Sequence, residues 1–422
     1  MRRIFIGGIT GVVAVLIVWI LANVVFESFF YRFEASTYDY RVRKIIEPPS
    51  HLIEDVVIVD IDNRSLNELG ALNQWPRTYW AKALEILQRG GARMVAFDII
   101  FDHSRRFPEE DQQFIQQIAD HGNVISSISL EVADPDRFLN PMSEEPEGLN
   151  WEKFSIEVPD NLAFRLFTFD RMEPHFPQLH NASAQIGAVN FSLDVDGISR
   201  RLPLFLRFNE HVYPTLAAAM ALQKLDAQNI LYDEETQEIQ IQSQNGQTIS
   251  VPVDEKGRAL IYFHGPFQTF RYIPFSSLLK EEVPVDYFND KVVLFGSSAP
   301  GLYDLRSIPW QPTFPGVEIH ANFFHQIVNQ RFIEEMTAGN EFLYILIVGV
   351  ICGVLFTLFR PRGGIITSIV MAILIFTVAW VAFSAQLLWL PLLTPFLTVL
   401  LTFTIHYTYR YTVEEHDKRA IK

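Results

Sequence analysis

Two apolar runs end in spaced carboxylates. VVIVDID (56–62) carries Asp60 and Asp62, and ARMVAFDIIFD (92–102) carries Asp98 and Asp102. Hard divalent cations want clustered oxygen ligands. Asp60, Asp62 and Asp98 are therefore candidate metal ligands, and with Arg77 and Asp102 they are candidate ligand-binding residues from the ends of two strands expected to be neighbours. Alternation in a strand by itself only places two side chains on one face. The competing reading is structural: Asp62 caps the turn that follows it, and Asp98 pairs with Arg77 or steadies a loop.

Three further patterns invite chemistry. GSSAPG (296–301) follows an apolar run, and Gly296, Ser297 and Ser298 offer backbone N–H groups and hydroxyls to an anion. The pattern lacks the lysine of a phosphate loop, so a tight turn admitting close backbone approach is the alternative. DVDG (194–197) suggests a calcium loop, but the twelfth position, where a bidentate Glu belongs, is Phe205, and a hairpin turn fits better. His320 and His325 miss the i, i+4 spacing of a helical zinc pair by one residue. No nucleophile elbow or zinc motif is present, and no catalytic residue is assigned.

These residues need elements to hold them. QWPRTYWAKALEILQRGG predicts a helix with Trp80, Ala83, Leu84 and Leu87 on one face, and EEDQQFIQQIADHG repeats the pattern with Phe114, Ile115 and Ile118. With VVIVDID, ARMVAFDIIFD and NVISSISL they give strand, helix, strand, helix, strand. The strands are nearly continuous in apolar residues, which indicates a parallel or mixed sheet covered on both faces, an α/β architecture. Ligands of such sheets sit at the carboxyl ends of the strands, where the aspartates are. From about Glu131 to His180 the composition predicts a long irregular insertion. Beyond it come two short strands around DVDG, a helix in YPTLAAAMALQKL, a hairpin at Asn245-Gly246, a strand in KVVLFGSS and a helix in PGVEIHANFFHQIVNQRF.

Four apolar stretches enclose this pattern: residues 4–26, 342–359, 365–383 and 387–405. Each is about long enough to cross a bilayer. Arg2 and Arg3, Arg360 and Arg362, and the tail 406–422 with Arg410, Lys418, Arg419 and Lys422 place residues 1–3, the first connector and the C-terminal tail in the cytoplasm. One span then precedes, and three follow, an extracytoplasmic domain of residues 27–341. SFFYRFEASTYDYRVRK is expected to continue the first span as a helix toward Pro48. The domain carries 26 Lys and Arg against 46 Asp and Glu, a formal charge of −20. Such a surface repels nucleic acid and anionic head groups. The single cysteine, Cys352, lies in a span, so the domain depends on core packing and not on disulfides. The spans lack the ionisable residues that transport requires. Gly7 and Gly11, in GGITG, are expected to let the first helices of two copies approach closely.

VVIVDIDNRSLNELG, WPRTYWAKALEILQRGGARMVAFDIIFD, GAVNFSLDVDGISRRLPL, KVVLFGSSAPGLYD and FPGVEIHANFFHQIV, in that order, resemble the type-two cyclase and histidine-kinase associated extracellular sensory domain, the CHASE-two family of bacterial receptors. The resemblance covers roughly residues 28–338. It implies a multi-pass receptor of the bacterial inner membrane, with one helix before and three after a periplasmic sensor, that reports a small-molecule or ionic signal to a cytoplasmic effector. The effector it implies is a class III adenylate cyclase first and a kinase second. A cyclase works where two domains meet, so a homodimer is implied. YTVEEHDKRAIK resembles the linker before such a catalytic domain, and an effector is expected beyond Lys422. No cofactor is expected in this chain; ATP with Mg2+ or Mn2+ would belong to the effector. The alternatives are a membrane-anchored metal-dependent hydrolase and a scaffold with an acidic docking surface.

Overall fold

The computed structural model describes residues 2–102, 108–131, 147–173, 176–299 and 305–420. The chain forms two compact units, Met1–Ile46 with Ile333–Lys422, and Glu47–Phe332.

The second unit is built on a seven-stranded sheet: β1 (Ile53–Asp60), β2 (Met94–Phe97), β3 (Val124–Glu131), β4 (Arg171–Glu173), β5 (Gln185–Ala188), β6 (Phe270–Pro274) and β7 (Val292–Gly296). Its order is β6-β1-β7-β2-β3, and β3 then pairs with both β5 and β4. All neighbours are parallel except β3 and β4. The expected adjacency of β1 and β2 is thus corrected: β7 lies between them. Parallel partners are joined by crossovers, so strand order is not read from proximity in the chain. β7 arrives some two hundred residues after β1 and takes the central place.

Alternation assigns the two faces. Val56, Ile58, Met94, Ala96, Val292 and Leu294 point into one core with Leu216–Lys224 and Gly316–Val328. Val57, Val59, Val95, Phe97, Val293 and Phe295 point into the other with helices Arg77–Arg89 and Pro108–His121. Continuous apolar strands follow from burial on both sides. Gly296 ends β7, and a Cβ there would run into the side chain of Val317; only glycine lets the strand end this close to the helix beneath it.

The predicted hairpin forms between Glu238–Ser243 and Thr248–Pro252, with Gly246 at φ 84°. DVDG is a turn, closed by the Asp194 N–H on the Ile198 carbonyl. The expected insertion holds the short helices Trp151–Phe154 and Asp160–Ala163 and strand β4, and its residues 132–146 lie outside the described ones.

Among the described residues of the first unit, three helical stretches are long and apolar enough to cross a membrane: Arg3–Val25, Ala338–Leu358 and Pro361–Gln386. Ala338–Leu358 begins before the expected 342–359 and stops just short of its end, and Pro361–Gln386 overruns the expected 365–383 on both sides. The fourth stretch is redrawn. Leu388–Trp389 pairs with Glu334–Glu335, and helix begins only at Leu393, running to Ala420. The first span is followed by the expected helix, Glu27–Ile45. Glu34 from that helix accepts the N–H groups of Leu392 and Leu393 at 2.9–3.0 Å, and Arg41 donates to the Leu390 carbonyl at 2.8 Å. A carboxylate at a helix N-terminus satisfies donors that have no partner within the helix. Gly7 and Gly11 do permit close approach, but the backbone they meet is that of Gly353 and Gly349 in the same chain. Their face is filled intramolecularly, so a second copy would have to use another.

Candidate functional site

The carboxyl edge of the sheet contains two arrangements. At β1 and β7 it is closed. The Asp60 carboxylate accepts the Ser298 N–H at 2.8 Å and its hydroxyl at 2.5 Å, while Ser297 Oγ donates to the Ile61 carbonyl at 2.9 Å. Burial pushes the Asp60 carboxyl up to about 6, and the two Ser298 bonds pull it the other way. Asp62 accepts the Ser65 N–H at 2.8 Å and caps helix Asn63–Leu69, as the structural reading expected. Gly296, Ser297 and Ser298 therefore brace the sheet with their polar atoms; Pro300 and Gly301 of the same motif lie outside the described residues.

At β2, β3 and β5 the described residues leave the edge open. A cavity of about 550 Å³ is lined by the polar residues Asp98, Ser129, Asn190, Ser297 and Arg306. Apolar contact comes from Ile61, Leu72, Ile100, Val189 and Leu193. Asp98 follows β2, its N–H bonded to the Phe295 carbonyl at 2.7 Å. Asn190 extends the scaffold, giving and taking hydrogen bonds with the backbone of Leu130 at 2.6 and 3.0 Å. The Arg306 guanidinium lies over the Phe191 ring, 5.1 Å from its centroid, and the His320 ring is 4.9 Å from that of Phe191.

The metal set does not assemble. β7 lies between β1 and β2, two strand spacings of roughly 9–10 Å, and both Asp60 oxygens are engaged by Ser298. Among the described residues no group of three or more His, Cys, Asp or Glu is placed to hold a metal. Arg77 pairs not with Asp98 but with Asp111 at 3.2 Å, donates to the Asp102 carbonyl, and covers the Phe101 ring at 5.0 Å. Asp194 and Asp196 of DVDG are salt-bridged to the buried Arg200 at 3.2 and 2.8 Å, and Asp194 also to Arg201 at 3.1 Å. Those oxygens hold guanidinium groups in place of calcium.

His320 and His325 face different surroundings. His320 is fully buried, and neither ring nitrogen has a hydrogen-bond partner among the described residues; desolvation lowers its pKa to about 3. His325 Nδ1 lies 2.9 Å from His264 Nε2. The sequence reading weighed these histidines and missed their neighbours. Glu318, Asn322 and Gln326, at i, i+4 and i+8, form a ladder along one buried helix face. Glu318 accepts the N–H of Gln268 and Thr269 at 3.1 and 3.0 Å and the Tyr272 hydroxyl at 2.8 Å. Asn322 accepts the His264 N–H at 2.9 Å, and Gln326 bonds to both Tyr262 N–H and Leu260 carbonyl. The signal was a four-residue polar period in an otherwise apolar helix. Arg306 and Phe191 had no such signal, since they meet only in the fold.

Among the described residues this arrangement holds no catalytic constellation. It is a parallel-sheet cavity with a few convergent polar groups, the common form of a small-molecule site. No curated protein and no solved structure matches the chain. A family model described as the CHASE2 domain matches residues 12–355. That match takes in most of the chain and agrees with the resemblance drawn from the five motifs, and CHASE2 is a family of sensory extracellular domains. The chain belongs to the CHASE2 domain family.

Proposed function

We propose that this chain is the sensor and transducer of a membrane signal receptor, in which residues 47–332 face the outside and take up a small molecule at the open half of the sheet edge. The observation that carries the reading is the cavity of about 550 Å³ at the carboxyl ends of β2, β3 and β5, in a chain whose family is sensory. Four spans place both termini in the cytoplasm, and a homodimer brings two C-terminal helices together for an effector, a class III adenylate cyclase first and a kinase second.

The transducing step needs a joint. The sensory unit continues directly into Glu27–Ile45 at its start and into Ala338–Leu358 at its end. Glu34 and Arg41 tie the first of these helices to the head of Leu393–Ala420, the helix that leads to the C-terminal tail. A ligand that binds two positions of this assembly unequally shifts their populations, and the Glu34 joint passes that shift to the exit helix.

Alkaline phosphatase fusions test the topology. Activity is expected after Ile333 and not after Arg362 or Lys422; the reverse pattern overturns the reading. The protein produced from its native locus is then assayed for cyclic nucleotide synthesis. Glu34→Ala is expected to change the output without abolishing ligand binding at the sheet edge.

A further inference from the structure

Helix Glu27–Ile45 has one face packed within its unit and one face outside it. Ala35, Tyr38, Arg41 and Val42 are buried. The Tyr38 ring lies 5.9 Å from that of Phe383 and 4.5 Å from that of Trp389, and Arg41 covers Phe383 at 5.8 Å. Phe29, Phe33 and Tyr40, by contrast, are each about half exposed. With 3.6 residues per turn their directions agree to within about 40°, so they form one stripe on the side away from the packed face. The other exposed side chains beside the stripe are Arg32, Ser36, Arg43 and Lys44, none of them acidic. Exposed apolar residues scattered singly are ordinary, whereas an aromatic stripe at helical spacing marks a surface that something covers. Among the described residues nothing covers it.

The course of the helix points to the covering partner. Glu34 sits at the head of Leu393–Ala420, the end of the bundle where residues 387–392 join that helix to Pro361–Gln386. Tyr40 is about 9 Å further along the helix axis, and its ring lies 6.2 Å from that of Trp380, six residues inside the end of Pro361–Gln386. A helix rising from the bundle would carry Tyr40 away from the ends of the spans. This one crosses the end of the bundle and comes to lie against the flank of a span. Trp380 in turn stacks on Phe376 at 5.8 Å, and Phe376, Ile373 and Leu374 are exposed on the same span. Through Tyr40 the stripe is continuous with apolar surface that faces lipid, given the reading that Pro361–Gln386 crosses the membrane.

We propose that helix Glu27–Ile45 lies in the plane of the bilayer, with Phe29, Phe33 and Tyr40 sunk into the outer leaflet where phospholipid head groups meet acyl chains. Helices with aromatic residues on one face and Lys or Arg beside them bind at that depth. Basic side chains there keep their charge among the phosphates while their stems stay in the apolar layer.

The test is photolabelling of the unaltered chain in nanodiscs that contain a phosphatidylcholine with a diazirine at the glycerol end of its acyl chains, followed by peptide mapping. Adducts are expected on residues 29–40 and on 373–380. Adducts on 373–380 alone overturn the proposal and leave the membrane reading standing, and adducts on neither remove both. A second measurement uses a nitroxide at Phe33→Cys, with Cys352→Ala removing the native thiol. The ratio of its collision rates with oxygen and with a water-soluble nickel complex is expected to exceed several-fold that of a nitroxide at Leu231→Cys, on the exposed surface of the sensory unit. Equal ratios put the stripe in water, and shielding from both reagents puts a second copy or another protein surface over it. Either result overturns the proposal.

Discussion

The two halves of the sheet's carboxyl edge begin from the same kind of residue and end in different states. On the β1 and β7 side, Asp60 faces a Gly-Ser-Ser turn whose N–H and hydroxyl close onto it. On the β2, β3 and β5 side, Asp98 faces a cavity. A carboxylate at the end of a parallel strand is thus not in itself a binding residue. Beside Asp60 the loop from the adjacent strand comes close enough to engage both carboxylate oxygens, and Gly296 grants that close approach.

The largest effect expected from this contrast is Asp60→Ala. Asp60 is about 5% exposed and is the acceptor for two Ser298 donors. Removing it strands those donors, at a cost of about 2–3 kcal/mol. Thermal unfolding of the whole chain in detergent would show the loss, and a change below about 0.5 kcal/mol would mean that the edge is not braced there.

Much of this was legible in the sequence, and the reasons differ by residue. VVIVDID and the Trp80, Leu84, Leu87 face announce strand and helix because burial imposes periods of two and 3.6 residues on local sequence. Asp62 could be read as a cap because a cap acts within its own turn. The insertion of β7 between β1 and β2 could not be read, because parallel crossovers detach sheet order from chain order. That one unread fact dissolved the expected Asp60–Asp98 metal set. Gly7 and Gly11 announced a close approach but not its partner, since GGITG fits any small-residue surface, including that of Gly349 and Gly353. Leu388 and Trp389 were read as part of a span because composition does not reveal that Glu34 supplies a cap further along.

Titration sharpens the contrast next. The folded-state pKa of Asp60 is raised to about 6, above its ordinary 3.8, so the folded chain holds this proton more tightly than the unfolded one. Its contribution is fully present below the ordinary value and is lost as pH rises through about 6. The stability of the unaltered chain minus that of Asp60→Asn should therefore fall by about 2 kcal/mol between pH 4 and pH 7. Glu318, raised to about 7, titrates with the same sign. His264 and His320, lowered to about 3, act oppositely and lose stability as pH falls below 6.5. All three are common to both proteins and cancel in the difference. A flat difference would place Asp60 in contact with water.

Asp62→Ala removes the cap of helix Asn63–Leu69 and should cost about 1 kcal/mol, with faster hydrogen exchange at the Ser65 amide as its local mark. On the open side, His320→Leu removes two buried nitrogens that lack partners among the described residues. Exchange of an unsatisfied polar group for an apolar one of similar volume is expected to be neutral or to stabilise by about 1 kcal/mol. A loss above that figure would mean that His320 has a polar role in the unliganded protein.

The smallest expected effect is the most discriminating. Leu193 is 52% exposed at the rim of the cavity, and truncating an exposed side chain ordinarily changes stability by less than about 0.5 kcal/mol. Leu193→Ala should therefore melt with the unaltered chain when no ligand is present. An exposed leucine at the mouth of a cavity costs little to retain and offers a ligand apolar surface to cover. The stabilisation by a bound ligand should accordingly shrink in Leu193→Ala, while Asp60→Ala and Asp62→Ala lower both melting curves together and leave the ligand's increment in place. If Leu193→Ala instead destabilised the unliganded chain as much as Asp62→Ala does, the open half would be part of the brace, and the contrast between the two halves would be gone.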